Sequence, residues 1–569
     1  MRAAFSWSLD GVFEMKKICG WRGNVLIWLL IFSIQALVCL YIAENKEYLF
    51  TDEVYSYGLS NSETTSFIDP SSSPALLEAW QNGSYFSDYI RYDANDEFSF
   101  RAAFVNQAND VHPPLYYCFL HLMCVFFSDT VYSAVPGILL NLIFLAVADA
   151  LLYYVAKSLT ASKLIATGVL VCWGLSASCF SNAVLIRMYM LQTTQILALT
   201  AYHIYQKNKK KHTVADGLVL VLLIATGGLT QYYFYMFAAA LGMCVCLYLI
   251  LRRKYKTFFE YAVAMWSGVV LALVIFPATL TKHLNGYRGS YATDSIGSFS
   301  MDKFKLYLSM IDDELFAGLL KIFCIVGVIY LFCRFFACIV DLKVERDEKK
   351  HSFLLSFNLK KNSLKITHGT IRVTDDVLML LSIVFATLVF FYVAVQGSEI
   401  INVRYIYPIY PIIALIAMYI IALIFKKKMH RSISILIVLG VSLLSVCTNG
   451  IDWSYLDYKN HETDAESLKH EDCIIINRQG YWWNVLQAIN IYSDMSEIRA
   501  LYDTDLNQFQ ALLDERTSMD DPVCIAFPED NNYSEDEKNE ILNRILEETA
   551  YTNYTTCPPP SNWTLRSFL

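Results

Sequence analysis

Leu49-Phe50-Thr51-Asp52-Glu53-Val54-Tyr55-Ser56 follows directly on the first long apolar segment of the chain, and its reading decides the rest. Two adjacent acids at a membrane exit are costly unless they face water or a partner. Arg2, Lys16, Lys17 and Arg22 lie on the other side of that segment. By the positive-inside rule residues 1–23 are then cytoplasmic and Asp52 emerges on the outer surface. A carboxylate there can take a proton from a hydroxyl or amine. The plainer reading of Asp52 is a helix cap, since Asp is a favoured N-cap residue. Further along the same loop comes Asp110-Val111-His112-Pro113-Pro114-Leu115-Tyr116-Tyr117. Its two prolines fix an extended approach and then start a helix. That holds Asp110 and His112 at the same water boundary.

Composition supports a membrane setting. The 569 residues are 55% hydrophobic and 17% charged, against about 25% charged in an average soluble domain. Mean hydropathy is +0.37. Apolar residues fall in runs of about 20, the length that crosses a bilayer as a helix. The net charge of −8 gives no reason to expect a nucleic-acid partner. Most of the 15 cysteines, such as Cys118, Cys124, Cys244 and Cys246, sit in apolar runs as small hydrophobes. No CxxC or HExxH occurs, so no metal is expected. No Walker or GxGxxG motif occurs either, which argues against a nucleotide-driven pump and leaves no cofactor to expect.

The spans follow from length and charge. Apolar runs lie at 24–43, 131–156, 162–180, 187–205, 214–230, 231–253, 257–280, 316–340, 377–396, 405–425 and 432–449. Basic clusters at alternate ends make these eleven crossings of a polytopic α-helical protein of about 11–13 spans. Met15-Lys16-Lys17 reads as a natural start, and the first run as an uncleaved anchor. Residues 114–128 are too few for a full crossing and read as a short or re-entrant segment. Residues 24–449 thus form one transmembrane module. Its first outer loop, 44–112, carries twelve acids against Lys46, Arg91 and Arg101. Within that loop Pro74–Gln81 and Phe98–Ala108 read as interfacial helices anchored by Trp80, Phe98, Phe100 and Phe104. Residues 341–376 read as a mixed-charge cytoplasmic loop.

Residues 450–569 differ in kind. Strand-like runs at 473–477, 498–502 and 523–527 alternate with helical patterns at 482–492, 506–516 and 535–549. That alternation predicts a small extracytoplasmic α/β domain with a mainly parallel sheet.

Arginines supply the remaining candidates. Arg187 is embedded in Ala183–Met190, and an intramembrane arginine is a functional hypothesis by default. Near the outer end of its helix it could grip a lipid phosphate in a bidentate fork. The competing reading is a side chain that snorkels to the headgroups. Arg404-Tyr405 repeats the pattern at another outer helix start, and Gln231-Tyr232 adds an aromatic outer turn. Lys282, His283, Arg288 and Lys303 in the outer loop 282–313 read as solvated.

Four stretches in this order resemble the GT-C superfamily of membrane glycosyltransferases. They are Asp52-Glu53, His112-Pro113-Pro114-Leu115-Tyr116-Tyr117, Arg187-Met188-Tyr189 and Thr230-Gln231-Tyr232-Tyr233, with Arg404-Tyr405 a looser match. Within that superfamily they are similar to the bacterial family-39-like enzymes related to protein O-mannosyltransferases and aminoarabinose transferases. The resemblance covers most of residues 24–450. It implies a glycosyltransferase that takes a sugar from a polyprenyl-phosphate donor on the outer face of the membrane. The family's first-loop base maps onto Asp52, with Glu53 as its catalytic neighbour. Asp110, His112, Arg187, Tyr189, Gln231, Tyr232, Arg404 and Tyr405 become the expected substrate-binding residues. Members often carry His where this chain has Gln231, so no histidine role carries over there. The rival reading is a lipid-linked-sugar transporter or a non-catalytic assembly factor of the cell envelope. A transporter would place paired charges near the midplane, among broken helices and repeats. Here the charges sit at outer ends, and the sequence shows no repeat.

Overall fold

The computed structural model describes residues 21–46, 49–63, 65–68, 74–92, 98–127, 133–209, 211–284, 286–347, 352–359, 375–424, 428–456, 470–478, 486, 489–516, 522–528, 533–549, 551–557 and 563–568. The basic residues Arg2, Lys16 and Lys17 and most of the helix expected at 482–492 lie outside the described residues.

Each of the eleven apolar runs folds as helix. Among the described residues seven helices are long and apolar enough by themselves to cross a membrane. They carry exposed Leu26, Phe259, Trp266 and Leu388 outward, as a surface solvated by lipid would. The run 162–180, expected as one span, is instead a pair of helices, Lys163–Gly174 and Ala177–Val184, bent by 59°. The break has a local cause. The Ser176 hydroxyl donates to the Trp173 carbonyl at 2.6 Å, and the Ala177 N–H donates to Ser445 Oγ at 3.1 Å. Serine thus offers the backbone partners that the helix ladder loses. Helix Leu115–Phe126 has 12 residues, roughly 18 Å of rise against a core of about 30 Å. It is short, as expected of that segment.

The loop expected at 341–376 contains a hairpin, β2 (Val340–Asp347) with β3 (Ser352–Leu359), in register from Val340↔Leu359 to Asp347↔Ser352. The signal was present in Val340-Asp341-Leu342-Lys343-Val344, where apolar and charged residues alternate with the period of a strand.

The C-terminal domain is built on a six-stranded sheet of order β1-β5-β4-β6-β8-β7. Its strands are β1 (Gln81–Asn82), β4 (Asp472–Asn477), β5 (Glu497–Tyr502), β6 (Val523–Pro528), β7 (Tyr554–Cys557) and β8 (Trp563–Phe568). The three strands expected from sequence, β4, β5 and β6, are the parallel ones; the others pair antiparallel. Central β4 is buried at every position, which explains its continuous Cys-Ile-Ile-Ile run. Ile474, Ile476, Leu501, Ile525 and Phe527 pack on one face with helices Phe509–Asp514 and Glu535–Glu548. Cys473, Ile475, Ala500, Cys524 and Ala526 on the other face join the core of the transmembrane module.

That second face is where the two parts meet. β1 comes from the first outer loop and pairs with β5 through Gln81↔Ile498 and Asn82↔Glu497. Trp80, expected as a membrane anchor, instead donates its indole N–H to the Leu512 carbonyl at 3.0 Å. Its amphipathic ring found a carbonyl in the domain rather than a headgroup. Phe86 of helix Ser84–Ile90 meets Tyr492 with ring centroids 5.6 Å apart. The first outer loop and the C-terminal domain therefore lie on the same side.

Candidate functional site

Helix Thr51–Asn61 begins with Phe50 as its N-cap, so Asp52 and Glu53 are its second and third residues. The cap belongs to Glu53, whose Oε2 accepts the Phe50 N–H at 2.8 Å. Its Oε1 takes Lys46 Nζ at 2.6 Å and the Ile186 N–H at 2.9 Å. Both side chains of the Lys46–Glu53 pair are fully buried. The geometry therefore separates two neighbours that were expected to share one catalytic role. Consecutive helix residues point roughly 100° apart. Glu53 faces the protein interior, its oxygens engaged by three donors, while Asp52 stays 27% exposed.

Asp52 forms an ion pair with Arg404, whose side chain is 9% exposed. Arg404 sits on the short 3-10 turn Val403–Tyr405, where Asn402 Oδ1 accepts its N–H at 3.1 Å. Its guanidinium lies 5.7 Å from the centre of the Phe50 ring and 5.5 Å from that of Tyr405. Arg187 reaches the same place from the turn between helices Ala177–Val184 and Tyr189–Asn208. Its Nη1 donates to the Asp52 carbonyl at 3.2 Å and to Ser56 Oγ at 3.3 Å. Arg187 is 5% exposed and turned inward, so it does not snorkel. The Nε–H of each arginine is buried without a hydrogen-bond partner among the described residues. The bend at Ser176 and the Glu53 bond to Ile186 together set where Arg187 emerges.

The remaining residues of the quoted motifs divide. Tyr117 is fully buried within electrostatic reach of Arg187, Asp110, Asp52 and Arg404. Asp110 is half-buried at the end of helix Arg101–Asn109 and lies in reach of Arg187. His112 is buried just ahead of helix Leu115–Phe126. The Leu115 N–H donates to the Leu229 carbonyl at 3.0 Å, fixing that helix start to the turn at 229–232. Tyr189 meets Tyr405 edge-on, with centroids 6.2 Å apart. Gln231 is taken up locally, its Oε1 accepting the Tyr232 N–H at 2.7 Å.

Tyr232 points to a residue that sequence reasoning passed over. Its hydroxyl bonds His283 Nδ1 at 2.7 Å and Thr279 Oγ1 at 3.1 Å. His283 was expected to be solvated but is 7% exposed. Burial holds its imidazole below the usual histidine range, against the pull of the Gln107 carbonyl, with Lys282 adding to the fall. No local pattern marks His283; only the contact with Tyr232 does. Lys46 and Tyr117 were likewise not expected as partners of the site.

The arrangement is a carboxylate paired with one guanidinium, a second guanidinium on the backbone of the same helical turn, aromatic walls and a second carboxylate in reach. It can bind an anion and accept a proton beside it. Among the described residues no three His, Cys, Asp or Glu side chains gather as metal ligands would. A cavity of about 550 Å³ lies elsewhere, lined by Tyr202, His203, Lys209, Asp216 and Tyr261 and by none of the residues expected for the site.

No protein-family model matches the chain, and no curated protein matches it. Among solved structures it is similar to ArnT from Cupriavidus metallidurans bound to undecaprenyl phosphate, with a TM-score of 0.46 and 11% identity over 95% of this chain and 98% of that one. The same protein in the apo state gives 0.42 and 12%, over 95% and 97%. The Archaeoglobus fulgidus oligosaccharyltransferase in complex with Zn and sulfate gives 0.43 and 11%, over 94% of this chain and 72% of that one.

Proposed function

We propose that this multi-pass protein is an inverting glycosyltransferase. It moves a sugar from a polyprenyl-phosphate donor to an acceptor on the outer face of the membrane. The observation that carries the reading is Asp52, ion-paired to Arg404 while Arg187 holds the first turn of the same helix. Guanidinium N–H groups with no hydrogen-bond partner among the described residues suit a phosphate, which takes parallel hydrogen bonds from the fork. The ion pair holds the Asp52 carboxylate at the site, where it can serve as the base. When the donor phosphate draws on Arg404, the carboxylate is released toward the acceptor. The acceptor oxygen then attacks the anomeric carbon as the carbon–phosphate-oxygen bond breaks. Its proton passes to Asp52, and the charge that grows on the leaving phosphate meets Arg404 and Arg187.

The pairing of β1 with β5 supports keeping loop 44–112 and residues 450–569 on one side, and the basic clusters are the reason for reading that side as the outer one. The test uses purified full-length protein and a panel of radiolabelled polyprenyl-phosphate sugars, with transfer and donor binding measured separately. Asp52→Asn keeps the shape and removes proton acceptance, so transfer should collapse while donor binding changes far less. An Asn variant with near wild-type turnover would end this reading.

A further inference from the structure

Cys473 and Cys524 take no part in the chemistry above, yet they are placed for chemistry of their own. Both are fully buried. They lie in register on adjacent parallel strands, since β4 and β6 pair Cys473 with Cys524. Adjacent strands run about 4.8 Å apart, within the roughly 4.4–6.8 Å between Cα atoms that a disulfide bridges. Register partners in a parallel pair project from one face, and both cysteines belong to the same apolar cluster. The two side chains also interact directly.

The face they occupy is the one that receives the first outer loop. Tyr492 lies within electrostatic reach of both sulfurs and meets the Phe86 ring at a tilt of 32°. From the same short helix Tyr89 reaches Gly58 of the helix that carries Asp52. A Cβ at Gly58 would come within 1.9 Å of the Tyr89 ring, so only glycine admits the contact. The thiols therefore lie beside side chains that connect the sheet to the Asp52 helix.

We infer that Cys473 and Cys524 form a disulfide in the mature protein and clamp β4 to β6 beside those contacts. The inference rests on the outer-face placement in the proposed function, because disulfides persist in oxidising compartments. The oxidant is the disulfide of a thiol-exchange protein. One cysteine thiolate attacks it, forms a mixed disulfide and releases one oxidant thiol. The second thiolate attacks the mixed disulfide, closes the Cys473–Cys524 bond and releases the other. Two cysteine thiols are oxidised, one oxidant disulfide is reduced, and two protons move with two electrons. Both sulfurs are buried in the finished fold, so the exchange precedes closure of the first outer loop over the sheet.

The experiment takes full-length protein from membranes of the producing cells. It is denatured without reductant in N-ethylmaleimide, digested and analysed by mass spectrometry. The expected result is one linked pair of peptides carrying Cys473 and Cys524, which separates on reduction. Cys473→Ser should leave Cys524 fully alkylated and lower the thermal midpoint by several degrees. Maleimide on both native cysteines, or a link from either to Cys557, would overturn the inference. Protease treatment of intact spheroplasts separates the two readings. Free thiols in a domain degraded from outside defeat the disulfide alone. Free thiols in a protected domain defeat it together with the outer-face placement.

Discussion

Asp52 and Glu53 are chemically close and adjacent in sequence, yet the two sides of their helix treat them as opposites. On the open side Asp52 faces Arg404 and keeps a quarter of its surface exposed. On the closed side Glu53 and Lys46 are withdrawn from solvent altogether, and the Ile186 and Phe50 N–H groups complete the hydrogen bonds of Glu53. A pair with one partner partly open to water is partly screened and contributes less to stability. A buried one is costly to break because the remaining charge has no solvent to turn to. The contrast predicts that the open side governs turnover and the closed side governs folding.

The largest effect should come from the open side. Asp52→Asn is expected to lower transfer about 10²–10⁴-fold, the usual worth of a general base. Its thermal midpoint should stay close to wild type. A large drop in midpoint with transfer preserved per folded molecule would reverse the two sides of the comparison.

The closed side comes next. Glu53→Ala should destabilise by about 3–5 kcal/mol, since it strands Lys46 in the interior. The sharper form is the double replacement Lys46→Met/Glu53→Met, which removes both charges and should recover much of that loss. Denaturation in one detergent reads both. A double variant no more stable than Glu53→Ala would show that the hydrogen bonds to Phe50 and Ile186, rather than the charge pair, hold the region.

The arginines refine the open side. Arg404→Lys keeps a charge beside Asp52 but loses the planar fork and much of the stacking on Phe50 and Tyr405, so donor binding should recover only in part relative to Arg404→Ala. Arg187→Ala should weaken donor binding and also loosen the Ser56 end of the helix. Donor titrations of the three variants at matched protein levels give the order. Full donor binding in both alanine variants would reduce the arginines to anchors of the helix.

The smallest effect concerns a third carboxyl, on helix Met301–Phe316. Burial, with Asp452 beside it, pushes Glu314 well above the 4.5 of an ordinary glutamate. The folded state then binds more protons than the unfolded one above that value. Stability must fall as pH rises from there through the raised folded pKa. Glu314→Gln should flatten this fall without improving stability at acid pH. Midpoints measured across the pH range check it, and parallel curves for the two proteins would contradict it.

Much of the fold was legible because the signals are local. Apolar runs of bilayer length stay helical wherever they pack, since a span in lipid must satisfy its own backbone. The helix at 535–548 was equally plain, and its Ser534–Glu537 capping box is present. What escaped was contact between distant segments. Two-residue β1 carries no strand signal and exists because β5 offers an edge. β7 and β8 complete the other edge in the same way.

Sequence by itself determined the candidates: an acid pair after the first span, the proline-started helix, and arginines at outer helix ends. Residue type and hydropathy suffice for that, because charge next to a bilayer is rare and expensive. Only the tertiary structure decided which acid faces the site. It turned Arg187 inward, spent Gln231 on its own turn, and brought His283 to Tyr232. Those outcomes depend on helix rotation, on the bend at Ser176 and on segments more than a hundred residues apart, such as Glu53 and Ile186. No local pattern encodes such distances, whereas a carboxylate's choice between water and a buried lysine is settled by them.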